Sequence, residues 1–454
     1  MAWGGTKRRA TGPGPRRTRR RGLLNQRPAL LGGWLLGVAT GVLLLTLLQA
    51  VLQRGDRQDT TRYQLVSSYA RDTFVRQVND EELLDAALTG MLESLDPYSR
   101  FYPPVEAMQL ERETGGRYEG IGALFRTLGT RRHVLFTLPN SPARLAGLTV
   151  GDGVLTIDGE DPSGWEDDRF REALAPQSGE PVTLQLIDPD GMERELQVDA
   201  AGLIDPSLRH IRMVSDTPPI AWISVHSFSR ETHGELIVAL THLEKETPLA
   251  GLILDLRDNR GGVLKAAIDM ARMFISEGVI VETRGNGTKR IEHALADQVS
   301  HPDLPLVVLV NRSSASASEV LASALQDHRR AVLVGEGTYG KGVVQTIRRF
   351  EPWGARAKVT SAYYYSPSGR NFERTIGEGR TIGIQPDVAI VVPADERRGI
   401  SNYLGSHHPD PQEEALIRAW EADLGIELLP TAPVDSALET ALDILLGNEL
   451  AVGN

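Results

Sequence analysis

Four serines crowd the stretch NRSSASASE, at Ser313, Ser314, Ser316 and Ser318, and a lysine follows in TYGKGVVQ at Lys341. A serine hydroxyl is a weak nucleophile until a base takes its proton, and a neutral lysine amine can be that base. Lysine's ordinary pKa near ~10.4 must fall for this, through desolvation or a neighbouring cation. Flanked by Gly340 and Gly342 on a loop between apolar strands, Lys341 can be desolvated in that way. Other chemistries compete for the same residues. Ser316 and Glu319 fit the S-x-x-E capping box, in which the serine only caps a helix. GEGTYGKG, residues 335–342, approaches the phosphate-binding G-x-x-x-x-G-K-[ST] loop, which would mean nucleotide-dependent phosphoryl transfer. Gly342, however, stands where that loop needs its Mg²⁺-binding hydroxyl, and the VVQTI that follows is strand-like rather than helical. Lys341 also fits an exposed turn lysine. There is no G-x-S-x-G elbow and no H-E-x-x-H, and His407-His408 lies in a polar loop that reads as solvated.

The elements that must position these residues are legible around them. The run Leu306–Val310 has strand character and breaks into the serine-rich turn at 312–318. That turn opens an amphipathic helix to about His328; a second strand at 331–334 then leads to the glycine loop carrying Lys341. From 203 to 395 apolar strands alternate with amphipathic helices, an α/β pattern. Its strands include 220–228, the LILDL run before the glycine pair of LDLRDNRGG, and 358–365; its helices include 231–246 and 263–275. Upstream, residues 61–95 show helical periodicity in two pieces, with Asn79, Asp80 and Glu82 as a cap between them, closed by the turn LDPYSRFYPP. The tail from Pro411 reads as two helices, and 395–410 as a polar stretch without structure.

Residues 118–200 form a small β-rich module. Strands are expected at 118–125, 133–139 and after the Gly151-Asp152 turn, short helices within 140–160 and at 167–174, and a hairpin around Asp188-Pro-Asp-Gly191. The string Gly120-Ile121-Gly122-Ala123, Ser141-Pro142-Ala143, Ala146-Gly147-Leu148, Gly151-Asp152 and Ile157-Asp158-Gly159 resembles a PDZ domain of the bacterial protease type. Successive backbone N–H groups of a glycine turn can hold a peptide carboxylate while the adjoining strand edge pairs with its extended tail.

Cysteine is absent, so there is no thiol nucleophile, disulfide or Cys-ligated metal. Residues 1–28 carry nine Lys/Arg and no acid, leaving 40 basic against 60 acidic residues in the rest. An acidic body argues against nucleic acid as its partner. Residues 29–52 hold no charge; 24 residues make about 36 Å of helix, enough for the ~30 Å hydrocarbon core. With the basic flank inside, the expectation is a single-pass anchor with the body outside the cytoplasm, against a cleaved signal peptide, whose apolar region usually spans only ~7–15 residues; the resemblance to bacterial proteases implies the bacterial inner membrane and the periplasm.

Six motifs occur in order: LDPYS (95–99), the PDZ string, LDLRDNRGG (254–262), NRSSASASE (311–319), TYGKGVVQ (338–345), and YYSPSGR with GIQPD (364–370 and 383–387). Together they resemble the carboxyl-terminal processing peptidases, or tail-specific proteases, over about residues 60–390. The resemblance implies a crotonase-like α/β peptidase core at 202–395 with a PDZ domain inserted at 106–201. It also implies helical regions at 56–105 and 396–454, beyond a basic tail (1–28) and a transmembrane helix (29–52). It makes Ser316 the nucleophile, Lys341 the general base 25 residues on, and Gln345 the residue orienting the lysine. The backbone N–H groups of Gly262 and Ala317 become the oxyanion hole, and Gly120, Ile121, Gly122 and Ala123 the peptide-binding turn. No cofactor or metal is implied. The partners implied are proteins with exposed apolar C-terminal tails, further copies of the chain through its helical ends, and a regulatory partner protein; a mobile PDZ gating the site is also implied. Two positions depart from the pattern, Tyr339 for the usual Phe and Tyr98 for the usual His, and neither is expected to supply chemistry. The other class of function compatible with these motifs is a PDZ-bearing adaptor with an idle core.

Overall fold

The computed structural model describes residues 60–115, 117–175, 180–375, 383–409 and 411–448. The chain divides into two compact units, Met1–Ala87 and Leu88–Asn454. Residues 60–73 are helical (α1). α2 (Asp80–Glu93) begins at the expected cap, where the Glu82 N–H donates to Asn79 Oδ1 at 2.7 Å. β1 (Arg100–Tyr102) and α3 (Pro104–Gly115) follow the LDPYS turn.

The module then runs β2 (Arg117–Gly120), β3 (Ala123–Leu128), β4 (Arg131–Thr137), α4 (Pro142–Ala146), β5 (Gly153–Ile157) and α5 (Asp167–Ala173). It ends with β6 (Val182–Ile187), β7 (Glu193–Val198) and β8 (Ala201–Ile204). Strands order β3-β4-β5-β6-β7 in one antiparallel sheet, while β2 pairs β8 in a separate ribbon. Val182, Leu184 and Leu186 alternate inward along β6, the period-2 pattern of a half-buried strand. Val134, Val154, Ile157 and Phe170 close the same core.

Beyond it lie β9 (Leu208–Asp216), β10 (Pro219–Val225), α6 (Thr232–Leu243), β11 (Gly251–Asp255), α7 (Leu264–Phe274) and the hairpin β12 (Val279–Gly285)–β13 (Thr288–His293). The chain continues as β14 (Leu306–Val310), α8 (Ala317–Asp327), β15 (Val332–Gly335), β16 (Val343–Phe350), β17 (Ala355–Tyr365) and β18 (Val388–Ala389). It closes with α9 (Ala394–Gly405), α10 (Pro411–Leu424) and α11 (Ser436–Leu446). The central sheet orders β18-β15-β14-β11-β10-β9, with all neighbours parallel except β9 against β10. Both faces are covered, which is why β11 and β14 are buried at every position rather than alternately, with Leu252–Leu254 and all of β14 apolar. Leu252, Leu254, Val308 and Leu333 point to α6, α7 and α8. Ile253, Val307, Leu309 and Val334 point the other way, to α9 and α11. A second sheet, β1-β17-β12-β13 with β16 on β17, carries the segment that follows Lys341. α10 packs Ile417 and Trp420 against Leu135 and Phe136 of the module, and Glu413 accepts the N–H and hydroxyl of Thr137 at 3.1 and 3.0 Å.

Two expectations are corrected. The stretch 395–410 is not structureless: its first part is α9, because Ile400, Tyr403 and Leu404 recur at helical spacing and bury against Trp222. The single-pass anchor in the inner membrane is overturned by the finding that no helix among the described residues is long and apolar enough to cross a membrane. α2 and α10, at 14 residues each, span about 21 Å, short of the ~30 Å needed. Residues 29–52, which carried that expectation, lie outside the described residues.

Candidate active site

Three neighbouring parallel strands, β11, β14 and β15, each end in a loop that contributes to one place. Loops at the carboxyl ends of parallel strands converge there, so residues tens of positions apart in sequence meet. β11 delivers Gly261 and Gly262, β14 delivers the serine turn, and β15 delivers Gly340 and Lys341.

The serine turn is tied to the β11 loop by polar side chains. Asn311 Oδ1 accepts the Asp258 N–H at 3.0 Å, and the Ala315 N–H donates to the Asn259 carbonyl at 3.0 Å. Ser314 and Ser318 are buried and committed, their hydroxyls donating to the carbonyls of Leu256 (2.7 Å) and Asn259 (2.9 Å). Ser316 differs. It stands at the N-cap of α8, half-buried, with φ 59° and ψ −114°, a conformation an L-residue rarely holds. Strain of this kind persists only where neighbours impose it, and it clusters at functional positions.

Glu319 imposes it. This carboxylate is fully buried and accepts four hydrogen bonds: the backbone N–H of Ser316 (2.8 Å), the hydroxyl of Thr338 (2.5 Å), and the N–H groups of Gly340 (2.7 Å) and Lys341 (2.8 Å). The capping box read from the sequence therefore exists, but its carboxylate half dominates. The Ser316 hydroxyl approaches the N3 amide without a hydrogen bond of normal geometry. Burial pushes the Glu319 carboxyl up, while the hydrogen bonds from Thr338 and the three amides hold it down.

Gly261 and Gly262 lie against this turn. A Cβ on Gly261 would fall 2.9 Å from Ser316 Cβ and 3.0 Å from the Ala317 N, and one on Gly262 would fall 2.1 Å from the Phe228 carbonyl oxygen. Both have positive φ, 97° and 142°, so only glycine fits. Among the described residues the N–H of Gly262 meets no acceptor; the bridge to Phe228 uses its neighbours, Gly261 O and Val263 N. Ala317, at the first helical position of α8, contributes one of the amides that a helix N-terminus leaves unpaired. These amides suit developing negative charge.

Lys341 Nζ does not reach Ser316 in this arrangement: among the described residues no hydrogen bond joins them. The amine lies 5.2 Å from the ring centroid of Tyr98. Burial, foremost, and the nearby Lys358 hold its pKa below the ordinary lysine value, against the pull of Glu373 and Glu319. Gln345 is likewise turned to the LDPYS turn, its Nε2 donating to the Tyr98 carbonyl at 2.7 Å. Lys341, Gln345, Tyr98 and Lys358 line one cavity of about 420 Å³. Glu373, also buried, accepts the Gly342 N–H at 2.8 Å, and the Arg374 N–H donates to the Gly340 carbonyl at 2.9 Å, so the strand of chain at 372–375 grips both sides of Lys341. Glu319, Tyr98 and Glu373 are the residues that sequence reasoning passed over. Glu319 was visible only as a cap and Tyr98 only as a departure from His.

In the module, Gly122 (φ 77°) lets the turn pass Ser141, whose Cβ would lie 2.4 Å from any side chain placed there. Gly120 ends β2, Ile121 is buried, and Ala123 opens β3. The N–H groups of Ile121 and Gly122 have no acceptor among the described residues, and β3 is the edge of its sheet.

Residues 219–390 match the profile of peptidase family S41. The carboxy-terminal-processing protease of Bartonella bacilliformis is 32% identical over 380 residues, covering 81% of this chain and 84% of that protein. The carboxyl-terminal-processing protease of Synechocystis sp. is 34% identical over 385 residues, covering 83% and 80%. Among solved structures, the photosystem II D1 C-terminal processing protease is 30% identical, covers 76% of this chain and 91% of its own, and superposes with a TM-score of 0.42. The protein is a serine-type peptidase of mixed α/β fold. It belongs to peptidase family S41, among the C-terminal-processing proteases.

Proposed function

We propose that the chain is an endopeptidase that cleaves proteins near their C-terminal tails through an acyl-enzyme on Ser316. Lys341 takes the hydroxyl proton, Gln345 orients the lysine, and the N–H groups of Gly262 and Ala317 receive the oxyanion. The observation that carries this reading is the Glu319 carboxylate, which holds the Ser316 and Lys341 backbones at 2.8 Å each and so keeps nucleophile and base on one anchor. Rotation of the lysine side chain away from Tyr98 would complete the pair. Residues 106–201 are read as a PDZ domain, inserted ahead of a crotonase-like core at 202–395 that is followed by the helical region 396–454. Its turn Gly120–Ala123, with two unpaired amides beside an open strand edge, suits a terminal carboxylate and an extended apolar tail. The exposed Leu65, Val66, Tyr69 and Val75 near the start of the described chain favour self-association.

The test is cleavage of an unfolded protein with an apolar C-terminal tail by the purified full-length chain, with product termini read by mass spectrometry. Ser316→Ala and Lys341→Ala are expected to abolish it; wild-type rates in either variant would remove the dyad. The displaced amine of Lys341 favours one second reading, a tail-binding adaptor with an idle core. Tail binding without any cleavage by wild type would select it.

A further inference from the structure

The LDPYS turn is built more firmly than a connector between a helix and a strand requires. Asp96 accepts the N–H groups of Tyr98 (2.7 Å) and Ser99 (2.9 Å) and the Ser99 hydroxyl (2.8 Å), and the buried Ser99 oxygen in turn accepts the Thr360 N–H from β17 at 3.1 Å. The turn is thereby fixed to the sheet that carries Gln345 on β16, the strand that begins two residues after Lys341, and Tyr98 is delivered beside both residues. Its ring receives Lys341 Nζ at 5.2 Å, its carbonyl accepts Gln345 Nε2 at 2.7 Å, and its hydroxyl reaches Glu373 Oε1 at 3.4 Å. Glu373 closes the circuit by holding the amide next to Lys341.

We propose that Tyr98 is a positioning residue for the base: in the resting enzyme its ring face holds the Lys341 amine at the point from which it swings to Ser316, while its carbonyl seats Gln345. This rests on the reading of Lys341 as the base. An aromatic face within about 6 Å favours the ammonium form. The other charges facing the amine are Lys358 on β17, which opposes the proton, and Glu373 and Glu319, which favour it. Glu93, Asp96 and Arg100 line the same cavity.

The experiment is the pH profile of kcat/KM for the full-length chain, on a reduced and alkylated globular protein carrying a Val-Ala-Ala tail. Tyr98→Leu keeps an apolar wall and loses the π face. Its acid limb is expected to move to lower pH by about half a unit, with kcat reduced and KM little changed. Tyr98→Phe is expected to restore the limb, and Tyr98→Trp, the stronger π donor, to move it upward. Opposite displacements by Leu and Trp cannot come from loss of folded protein, and the Trp arm stands if the Leu variant misfolds. Coincident midpoints for Leu, Trp and wild type, or an equal shift in the Phe and Leu variants, would overturn the role of the ring. Ser316→Ala and Lys341→Ala separate the two levels. If both are inactive while the Tyr98 midpoints coincide, only the positioning role falls; if either cuts like wild type, the dyad and the positioning role fall together.

Discussion

Glu319 Oε2 accepts the backbone N–H of Ser316 at 2.8 Å, and the same oxygen accepts the N–H of Lys341 at 2.8 Å. One buried carboxylate thus spans the loops after β14 and β15, and its charge is balanced by amides rather than by a cation. A hydrogen bond to a charged group contributes roughly 1.5–3 kcal/mol, and removing a buried partner leaves its mates unsatisfied.

Glu319→Gln, which keeps the shape but turns an NH₂ toward donors, is expected to lower both Tm and kcat, with kcat falling about tenfold or more and KM within about twofold. Glu319→Ala should lose more of each. Steady-state kinetics with thermal melts check this, and unchanged values in both variants would remove the anchor.

Lys358 places a like charge near Lys341, which disfavours the protonated amine and lowers its pKa. Lys358→Met removes that charge, so the pKa of Lys341 rises and less of it is neutral at a given pH. The acid limb of kcat/KM should move upward by about one pH unit, slowing cleavage near neutrality. A limb displaced downward or not at all contradicts the coupling.

His210, His226 and His408 are held low, at about 3, 4 and 4, by burial above all, reinforced by neighbouring arginines, by His408 for His210 and by His407 for the other two. Their folded pKa values lie below the unfolded value near ~6.5, so between the two the unfolded chain binds more protons. Stability is therefore full above about 6.5 and is lost as the pH falls toward 4, by up to roughly 1 kcal/mol per pH unit for a buried histidine such as His210. Urea midpoints from pH 7.5 to 4.5 should fall steadily, and His210→Asn, which tolerates the observed φ of 47°, should flatten the slope. A midpoint that holds constant across that range would exclude these groups.

Arg257 is buried between Asp255 and Asp435, meeting Asp435 through two hydrogen bonds of 2.7 Å. Asp435 also caps α11 by accepting the Leu438 N–H at 3.0 Å. Asp435→Ala loses both roles and is expected to cost about 2–4 kcal/mol. Amide exchange should accelerate first in α11, because Ala437 and Ala441 then lose their hold on the sheet face around Ile253. Uniform acceleration across the core would instead indicate a global effect.

The sequence by itself determined the local elements. Period-2 runs such as Val182–Ile187, glycine turns, and doubly apolar strands such as Leu306–Val310 state their own structure, because the signal lies within a few residues. Ordered motifs likewise pointed to Ser316 and Lys341 as the candidate pair. The hairpin β12–β13 went unread although Asn286-Gly287, a dipeptide typical of hairpin turns, stands at its tip. Only the tertiary structure decided what surrounds the two site residues. That the Glu319 carboxylate faces the 338–341 loop as well as its own helix, and that Tyr98 seats an amine 243 positions later in the chain, follow from strand order and from the docking of the 96–99 turn on β17. No local pattern encodes those contacts, since each depends on which strands become neighbours in the sheets. The physical reason is the same for both: a hydrogen bond or a ring contact acts over a few ångströms of space, whatever the separation in sequence.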